Sequence, residues 1–296
     1  MEARGEPRIG VALATRDRRE LVLSTVARLR ALPERPPIVV ADDGSVDGTA
    51  AALRARGDAG VEVIALRSSV GAAARTEAVA RLRTPYVAFS DDDSWWEPGA
   101  LARAAALLDR HPRVGLIAAA VLVGPERRLD PTCVAMASGP LAAAAGRNSG
   151  PGVPVTGFVA CGAVVRRSAF VAVGGFHRRF EVGGEEQLLA LDLAAAGWEV
   201  RHVPEIVARH CPPGGGAPRP ARVAATLRND LWTIWLRRPP RRLPGATARR
   251  LWAAGPWRRT TAAGAIAALR GLRWVARERR VVPAAVERDL RAVERG

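Results

Sequence analysis

Apolar runs and helix-spaced apolar positions alternate through the first third of the chain. Residues 9–14 form a short apolar run that stops in Thr15-Arg16-Asp17-Arg18, and Leu21, Val22, Val26, Leu29 and Leu32 then recur on one helix face. Pro33 closes that helix. Residues 38–41 are a second apolar run, ending in Asp42-Asp43-Gly44-Ser45-Val46-Asp47-Gly48-Thr49 before another helix begins. Residues 61–66 read as a third strand, 71–82 as a third helix and 86–90 as a fourth strand. Strand and helix thus alternate with short connections, which predicts an α/β fold with a mostly parallel sheet, flanking helices and right-handed crossovers. Ligands of such sheets bind at the carboxyl ends of the strands. Thr15-Arg16, Asp42-Asp43 and Asp91-Asp92-Asp93 all fall at those ends, so one edge is predicted to hold a site.

Downstream the pattern is looser. Residues 101–108 are amphipathic and helical, and 114–123 are apolar enough for a buried strand. Residues 124–154, rich in Gly, Pro and Ala, read as a variable loop region with one short helix at 141–145. Strands are expected at 155–157 and 161–167. A helix opens at Glu185-Glu186 and ends at Gly197, and short strands at 200–203 and 206–208 lead to His210. Residues 212–220 have linker composition. Beyond them 221–236 and 262–280 show helical spacing, with Pro239, Pro240 and Pro244 between. The expected organisation is an α/β domain over 1–211, a linker over 212–220 and a basic helical extension over 221–296.

Composition changes the picture mainly at the C-terminus. The 296 residues carry a formal charge of +16, and all 45 basic residues are arginine, which reads as compositional bias rather than an arginine-specific activity. From Ala221 onward eighteen arginines face five acids, a net +13, so the first 220 residues hold only about +3. Trp232, Trp235, Trp252, Trp257 and Trp274 lie in the same region. Basic helices with interleaved tryptophan suit an anionic membrane surface. Packing against the preceding domain is the alternative. Nucleic acid is the least favoured partner, because no nucleic-acid module accompanies the charge.

Cys133, Cys161 and Cys211 lack the paired spacing of a zinc site or disulfide framework, which fits a reducing compartment. The N-terminus has no apolar signal segment, and no apolar run reaches the roughly 18 residues that span a bilayer. A cytoplasmic location is expected, with peripheral contact to the inner face of the cell membrane through the basic extension.

The candidate chemistry centres on the fourth strand, which stops abruptly in Asp91-Asp92-Asp93 and turns through Ser94-Trp95-Trp96 toward a helix expected near Glu97. Three adjacent carboxylates each raise the cost of ionising the others unless a cation sits among them. Carboxylate oxygens are hard ligands suited to Mg²⁺ or Mn²⁺, and Mg²⁺ keeps other positions for water and substrate phosphates. The alternative is a solvated turn in which Asp93 or Ser94 caps the next helix. Asp42-Asp43-Gly44-Ser45 taken alone is most simply a turn as well. The coincidence of three clusters on one edge favours a site.

Val39-Val40-Ala41-Asp42-Asp43-Gly44-Ser45, followed some forty residues later by Phe89-Ser90-Asp91-Asp92-Asp93-Ser94-Trp95-Trp96-Glu97-Pro98, resembles the paired motifs of family 2 of the glycosyltransferases, over about residues 9–210. The resemblance implies a GT-A fold and a metal-dependent, inverting transfer of sugar from a nucleotide-diphosphate donor. It implies that Asp42 and Asp43 contact base and ribose, with Thr15, Arg16 and Asp92 lining the donor site. Asp91 and Asp93 match the first and last carboxylates of a DxD motif that holds Mg²⁺ or Mn²⁺ on the diphosphate, and His210 matches a histidine completing that site. Arg75 matches an arginine near the nucleotide, where it contacts the diphosphate or pairs with Asp43 or Asp91.

Gly174-Gly175-Phe176, then Glu185-Glu186 and Gly197-Trp198, matches the acceptor-side motif. Its second acid, here Glu186, is the expected catalytic base, with Glu185 the other register. A carboxylate at a helix N-terminus is also what the helix dipole favours with no catalysis at all. Asp17, Ser68-Ser69 and Thr76-Glu77 depart from the family pattern and bear on nucleotide identity. These departures, with Glu186 standing for the commoner Asp, keep open a degenerate module that binds a nucleotide sugar or a membrane partner without transfer. A nucleotidyltransferase would need a Gly-rich, basic phosphate loop after the first strand, which Ala14-Thr15-Arg16-Asp17 is not. The implied partners are the donor and a glycan or lipid-linked acceptor, in cell-surface glycan or polysaccharide synthesis.

Overall fold

The structure, a computed structural model, describes residues 6–145, 150–214, 220–255 and 259–295. Its strands are β1 (Ile9–Thr15), β2 (Ile38–Asp42), β3 (Val61–Ala65), β4 (Tyr86–Asp91), β5 (Ser94–Trp96), β6 (Val114–Val123), β7 (Arg128–Leu129), β8 (Val153–Pro154), β9 (Ala163–Arg166) and β10 (Glu199–His210). They join in one sheet with the path β3-β2-β1-β4-β9-β6-β10-β5, while β7 pairs with β6 and β8 with β10.

The first four strands of that path are parallel, as the alternation of strand and helix requires. The sheet as a whole is mostly parallel, as expected, but mixed rather than purely so. β9 enters antiparallel between β4 and β6, and β5 runs antiparallel along β10. The crossover rule governs consecutive strand–helix units only. β9 arrives after the long region 124–154 and is free to enter from the other direction. Since β4 and β6 both oppose β9, and β10 is parallel to β6, the carboxyl ends of β1, β2, β4, β6 and β10 share one edge.

Burial explains the strands. β1 is apolar on both faces: Val11 and Leu13 pack with Val22, Val26 and Leu29 on one side, and Ala12 packs with Ala74, Ala78 and Val79 on the other. The turn after the three aspartates does not enter a helix at Glu97. Ser94–Trp96 pairs with β10, Trp96 is buried in the core, and the helix starts at Ala100 after Gly99 in the left-handed region (φ +80°). The two short strands expected near 200–208 are one strand, β10, whose register along β6 shifts between Val203 and Val207, across Pro204-Glu205. The region 124–154 holds β7, the helices Pro131–Ser138 and Pro140–Ala144, and β8; its residues 146–149 lie outside the described residues.

The C-terminal helices Pro220–Arg237, Leu243–Ala253, Arg259–Arg270, Leu272–Glu278 and Ala284–Val293 fold back onto the α/β part. Leu227, Leu231, Trp232 and Leu236 cluster with Phe180 and Leu188, while Val282, Val286 and Leu290 close over Leu191. The single helix expected over 262–280 is broken at Gly271, where a Cβ would stand 2.5 Å from the Trp232 indole nitrogen. Trp235 and Trp274 are also partly buried against this cluster, whereas Trp252 is 86% exposed. Trp257 and linker residues 215–219 lie outside the described residues. Arginines bind the region down: Arg237 grips Asp192 at 2.5 and 2.9 Å, and Arg238 grips Glu287 at 2.7 and 2.8 Å, both bidentate. Among the described residues no helix is long and apolar enough to cross a membrane.

Candidate active site

The carboxyl edge begins with the two loops after β1 and β2. Thr15 is buried and donates its hydroxyl to Asp92 Oδ2 at 3.2 Å. Asp42 accepts the Ser45 N–H at 2.9 Å. Asp43 gathers the loop after β3, its Oδ1 accepting the Val70 N–H at 2.6 Å while Oδ2 accepts the Gly71 N–H at 3.0 Å and the Ser69 hydroxyl at 2.5 Å. Asp17, which departs from the family pattern, stands in the left-handed region (φ +51°). Its Oδ1 accepts the Val46 N–H at 2.7 Å and its N–H donates to Ser45 Oγ at 2.9 Å, so it ties the first loop to the second. Arg16 is more exposed, 3.7 Å from Asp17. Arg18, which sequence reasoning passed over, directs its charge at Asp92.

The aspartates after β4 have three different surroundings. Asp91 is ion-paired with Arg75, whose guanidinium is buried and lies 5.8 Å from the centre of the Phe176 ring. Burial works against the Arg75 charge, but Asp91, Glu185 and Glu186 together hold its pKa above the usual arginine value. Asp92 is pushed up to about 6 by burial and by the charges of Asp93 and Asp91, with Arg18 and Thr15 opposing. Asp93 Oδ1 lies 3.3 Å from His210 Nε2. Burial pulls the imidazole pKa down, but the hydrogen bond and charge of Asp93, with the charges of Asp91 and Asp130, raise it above its ordinary value. The main chain of the turn is held by Thr25, which donates to Asp92 O at 2.6 Å, and by the Cys211 N–H, which donates to Asp93 O at 2.8 Å.

Among the described residues no group of three or more His, Cys, Asp or Glu side chains could hold a metal ion. The structure brings Asp93 and His210 together and turns Asp91 toward Arg75. One carboxylate and one imidazole at a strand end fit a divalent ion that takes its remaining ligands from phosphate and water, rather than a closed protein cage.

The half of the site expected to face the acceptor is built around the helix Glu185–Ala195, entered through Gly183 (φ +98°) and Gly184 (φ +84°). Glu185 is buried and its Oε2 accepts the Gly183 N–H at 2.5 Å, closing the turn. Glu186 is half-buried, and its carboxylate has its own backbone N–H as hydrogen-bond donor rather than that of Gly183. Burial, then the charge of Glu185, pushes the Glu186 carboxyl up to about 8; burial raises Glu185 too, against the pull of Arg75. Thr76, another departure from the family pattern, accepts the Phe176 N–H at 3.0 Å, and Glu77 pairs with Arg178. Both residues thus hold the segment that starts at Gly174-Gly175-Phe176.

Asn229 is the residue that sequence reasoning missed. It lies on the helix Pro220–Arg237, is fully buried, and donates from Nδ2 to Phe180 O at 2.5 Å and to Gly183 O at 2.6 Å. The C-terminal region thereby sets the turn that presents Glu185 and Glu186. A polar side chain between Leu227, Leu231 and Trp232 on an apolar helix face was the available signal. The same turn touches the donor half: Ala72 donates its N–H to Glu181 O at 2.5 Å, and a Cβ on Gly71 would stand 2.5 Å from Glu181 Cα.

The model of a family described as Glycosyl transferase family 2 matches residues 11–174, more than half of the chain. No curated protein matches it. Among solved structures, the mannosyltransferase PcManGT from Pyrobaculum calidifontis, in complex with GDP-Man and Mn²⁺, is similar with a TM-score of 0.61 at 21% identity, covering 91% of this chain and 76% of that one. S. aureus TarS 1–349 in complex with UDP-GlcNAc gives 0.60 at 15% identity, covering 95% and 83%. GalNAc-T7 with UDP, GalNAc and Mn²⁺ gives 0.60 at 14% identity, covering 77% and 48%. At such identities the likeness is one of fold, and the fold they share is GT-A.

Proposed function

The chain belongs to glycosyl transferase family 2, and on that footing we propose that it moves a sugar from a nucleotide-diphosphate donor to an acceptor hydroxyl with inversion. The observation that carries the assignment of roles is the contrast between Glu185, tied to the Gly183 N–H, and Glu186, a half-buried carboxyl that takes no part in that turn and has a pKa of about 8. Glu186 takes the proton of the acceptor hydroxyl as that oxygen attacks the anomeric carbon from the face opposite the diphosphate. The bond between that carbon and the diphosphate breaks, and the configuration inverts. Arg75, whose charge is felt by Asp91 and by both glutamates, keeps the two halves electrostatically linked. Asp43 and Asp42 shape the loops around the nucleotide.

Asp93 and His210 are the residues that would hold Mg²⁺ or Mn²⁺, with Asp91 beside them. A divalent ion at such a site supplies charge stabilisation for a leaving diphosphate. The nucleotide sugars and Mn²⁺ bound by the similar structures support this donor class without fixing sugar or nucleotide. Titration calorimetry with UDP, GDP and dTDP, each with and without Mn²⁺, tests the donor site. One nucleotide is expected to bind with metal dependence; binding of none would favour a module that does not transfer. Glu186→Gln should keep nucleotide binding and lose about 10²–10⁴ in rate. A full rate in that variant removes the base assignment.

The acceptor we propose is a glycan or lipid-linked saccharide of the cell surface, met at an anionic membrane from the cytoplasmic side. Ile266, Leu269 and Leu272 are exposed on a stretch that also exposes Arg270, Arg273 and Arg277. Each arginine at such a surface contributes about 1 kcal/mol. Vesicles containing phosphatidylserine should sediment the protein, and reversing these three charges should abolish it; equal sedimentation would remove the membrane role.

A further inference from the structure

We infer that the crevice between the helix Glu185–Ala195 and the C-terminal helices is a subsite for a neutral saccharide portion of the acceptor. The inference rests on the reading of the chain as a glycosyltransferase. The crevice has a volume of about 480 Å³, within the span of small-molecule sites. One wall belongs to the acceptor half and contains Thr156 and Gln187, the latter following Glu186 directly. The other comes from the C-terminal helices, with Asp230, Thr233, Arg250 and Trp252.

Three features give the chemical class. Trp252 lines the crevice and is 86% exposed, unlike Trp232, Trp235 and Trp274, so its indole is open to offer an apolar platform to the C–H face of a sugar ring. Thr233 is buried in the wall with a hydroxyl that has no partner, and among the described residues Thr156 and Gln187 make no side-chain hydrogen bond either. Hydroxyl and amide groups donate and accept at once, as do the hydroxyls of a saccharide.

Charge supplies the third feature. The crevice arginines are already answered: Arg250 by Asp230 at 2.6 Å, Arg249 by Glu294 at 2.6 Å, and Arg238 by Glu287 and Glu294. Three arginines thus face three carboxylates, so the crevice offers an anion no net charge, and a neutral polyol needs none.

Saturation-transfer NMR on the full chain with cellobiose, chitobiose and mannobiose tests the assignment. At least one disaccharide should receive saturation, and Trp252→Ala and Gln187→Ala should each weaken its binding tenfold or more at an unchanged melting temperature. Signal from none of the three, or equal binding in both variants, overturns the subsite. Stronger, Trp252-dependent binding of glucose 1-phosphate than of any neutral sugar overturns its neutral character. The nucleotide titrations report on the donor site separately. Saccharide binding that persists where no nucleotide binds would overturn the glycosyltransferase reading and leave this crevice a sugar site.

Discussion

Glu186, the base we propose, is a carboxyl group whose surroundings hold on to its proton. Its pKa stands at about 8 in the folded chain against an ordinary 4.5, so the folded state binds the proton more tightly than the unfolded one. The stabilisation from that proton is fully present below the ordinary value and is lost as pH rises through about 8. Catalysis runs the other way, because only the ionised form accepts a proton. The kcat/KM of the free enzyme should therefore climb through about pH 8 while the melting temperature falls across the same interval. A rate already level from roughly pH 6 upward would mean that the base is ionised below that value, and would remove the raised Glu186 pKa from the mechanism.

Sequence alone could rank Glu186 against Glu185 only by motif position. The distinction lies in which carboxylate meets the Gly183 N–H, a consequence of two successive glycines with positive φ. Asp17 and Thr76 were legible only as departures from a pattern. In three dimensions each is a hydrogen-bond partner holding one of the site's own loops.

At the level of elements, the helix Pro220–Arg237 acts on the site through Asn229. Asn229→Ala would leave the Phe180 and Gly183 carbonyls buried without that donor, which costs about 1–3 kcal/mol. The variant should lose more in kcat than in nucleotide affinity, because the turn it supports carries Glu186 itself and meets the donor loop only at Glu181. Equal losses in turnover and in calorimetric nucleotide binding would mean a general loosening instead. β1 to β3 were readable because each is an apolar run followed by its own helix, and β4 because it is an apolar run that stops in three aspartates. β9 was readable as a strand but not in its place, since its partners Leu116–Ala118 and Tyr86–Ala88 are far away in sequence. β5 was hidden because pairing with β10 and burial of Trp96, rather than local propensity, decide it.

For the whole molecule, the basic extension is more of a brace than its composition implied. Charge and tryptophan content pointed outward to a surface. Contacts that no linear pattern encodes turn much of both inward: Trp232 onto Phe180, Arg237 onto Asp192, Val286 and Leu290 over Leu191. We propose that 1–211 and 221–296 fold as one unit. A chain ending at Cys211 would expose Phe180, Leu188 and Leu191, and should bind a hydrophobic dye and lose its cooperative melting transition. A sharp transition near that of the full chain would show that the first part stands alone.

The backbone approach of Gly71 to Glu181 reaches beyond stability. The loop proposed to frame the nucleotide and the loop leading to the proposed base meet main chain to main chain, where no side chain can be trimmed to make room. A change in the length or path of one displaces the other. Recombining this enzyme with a relative to alter its donor would therefore work only if both segments were transplanted together, as a matched pair from the same parent.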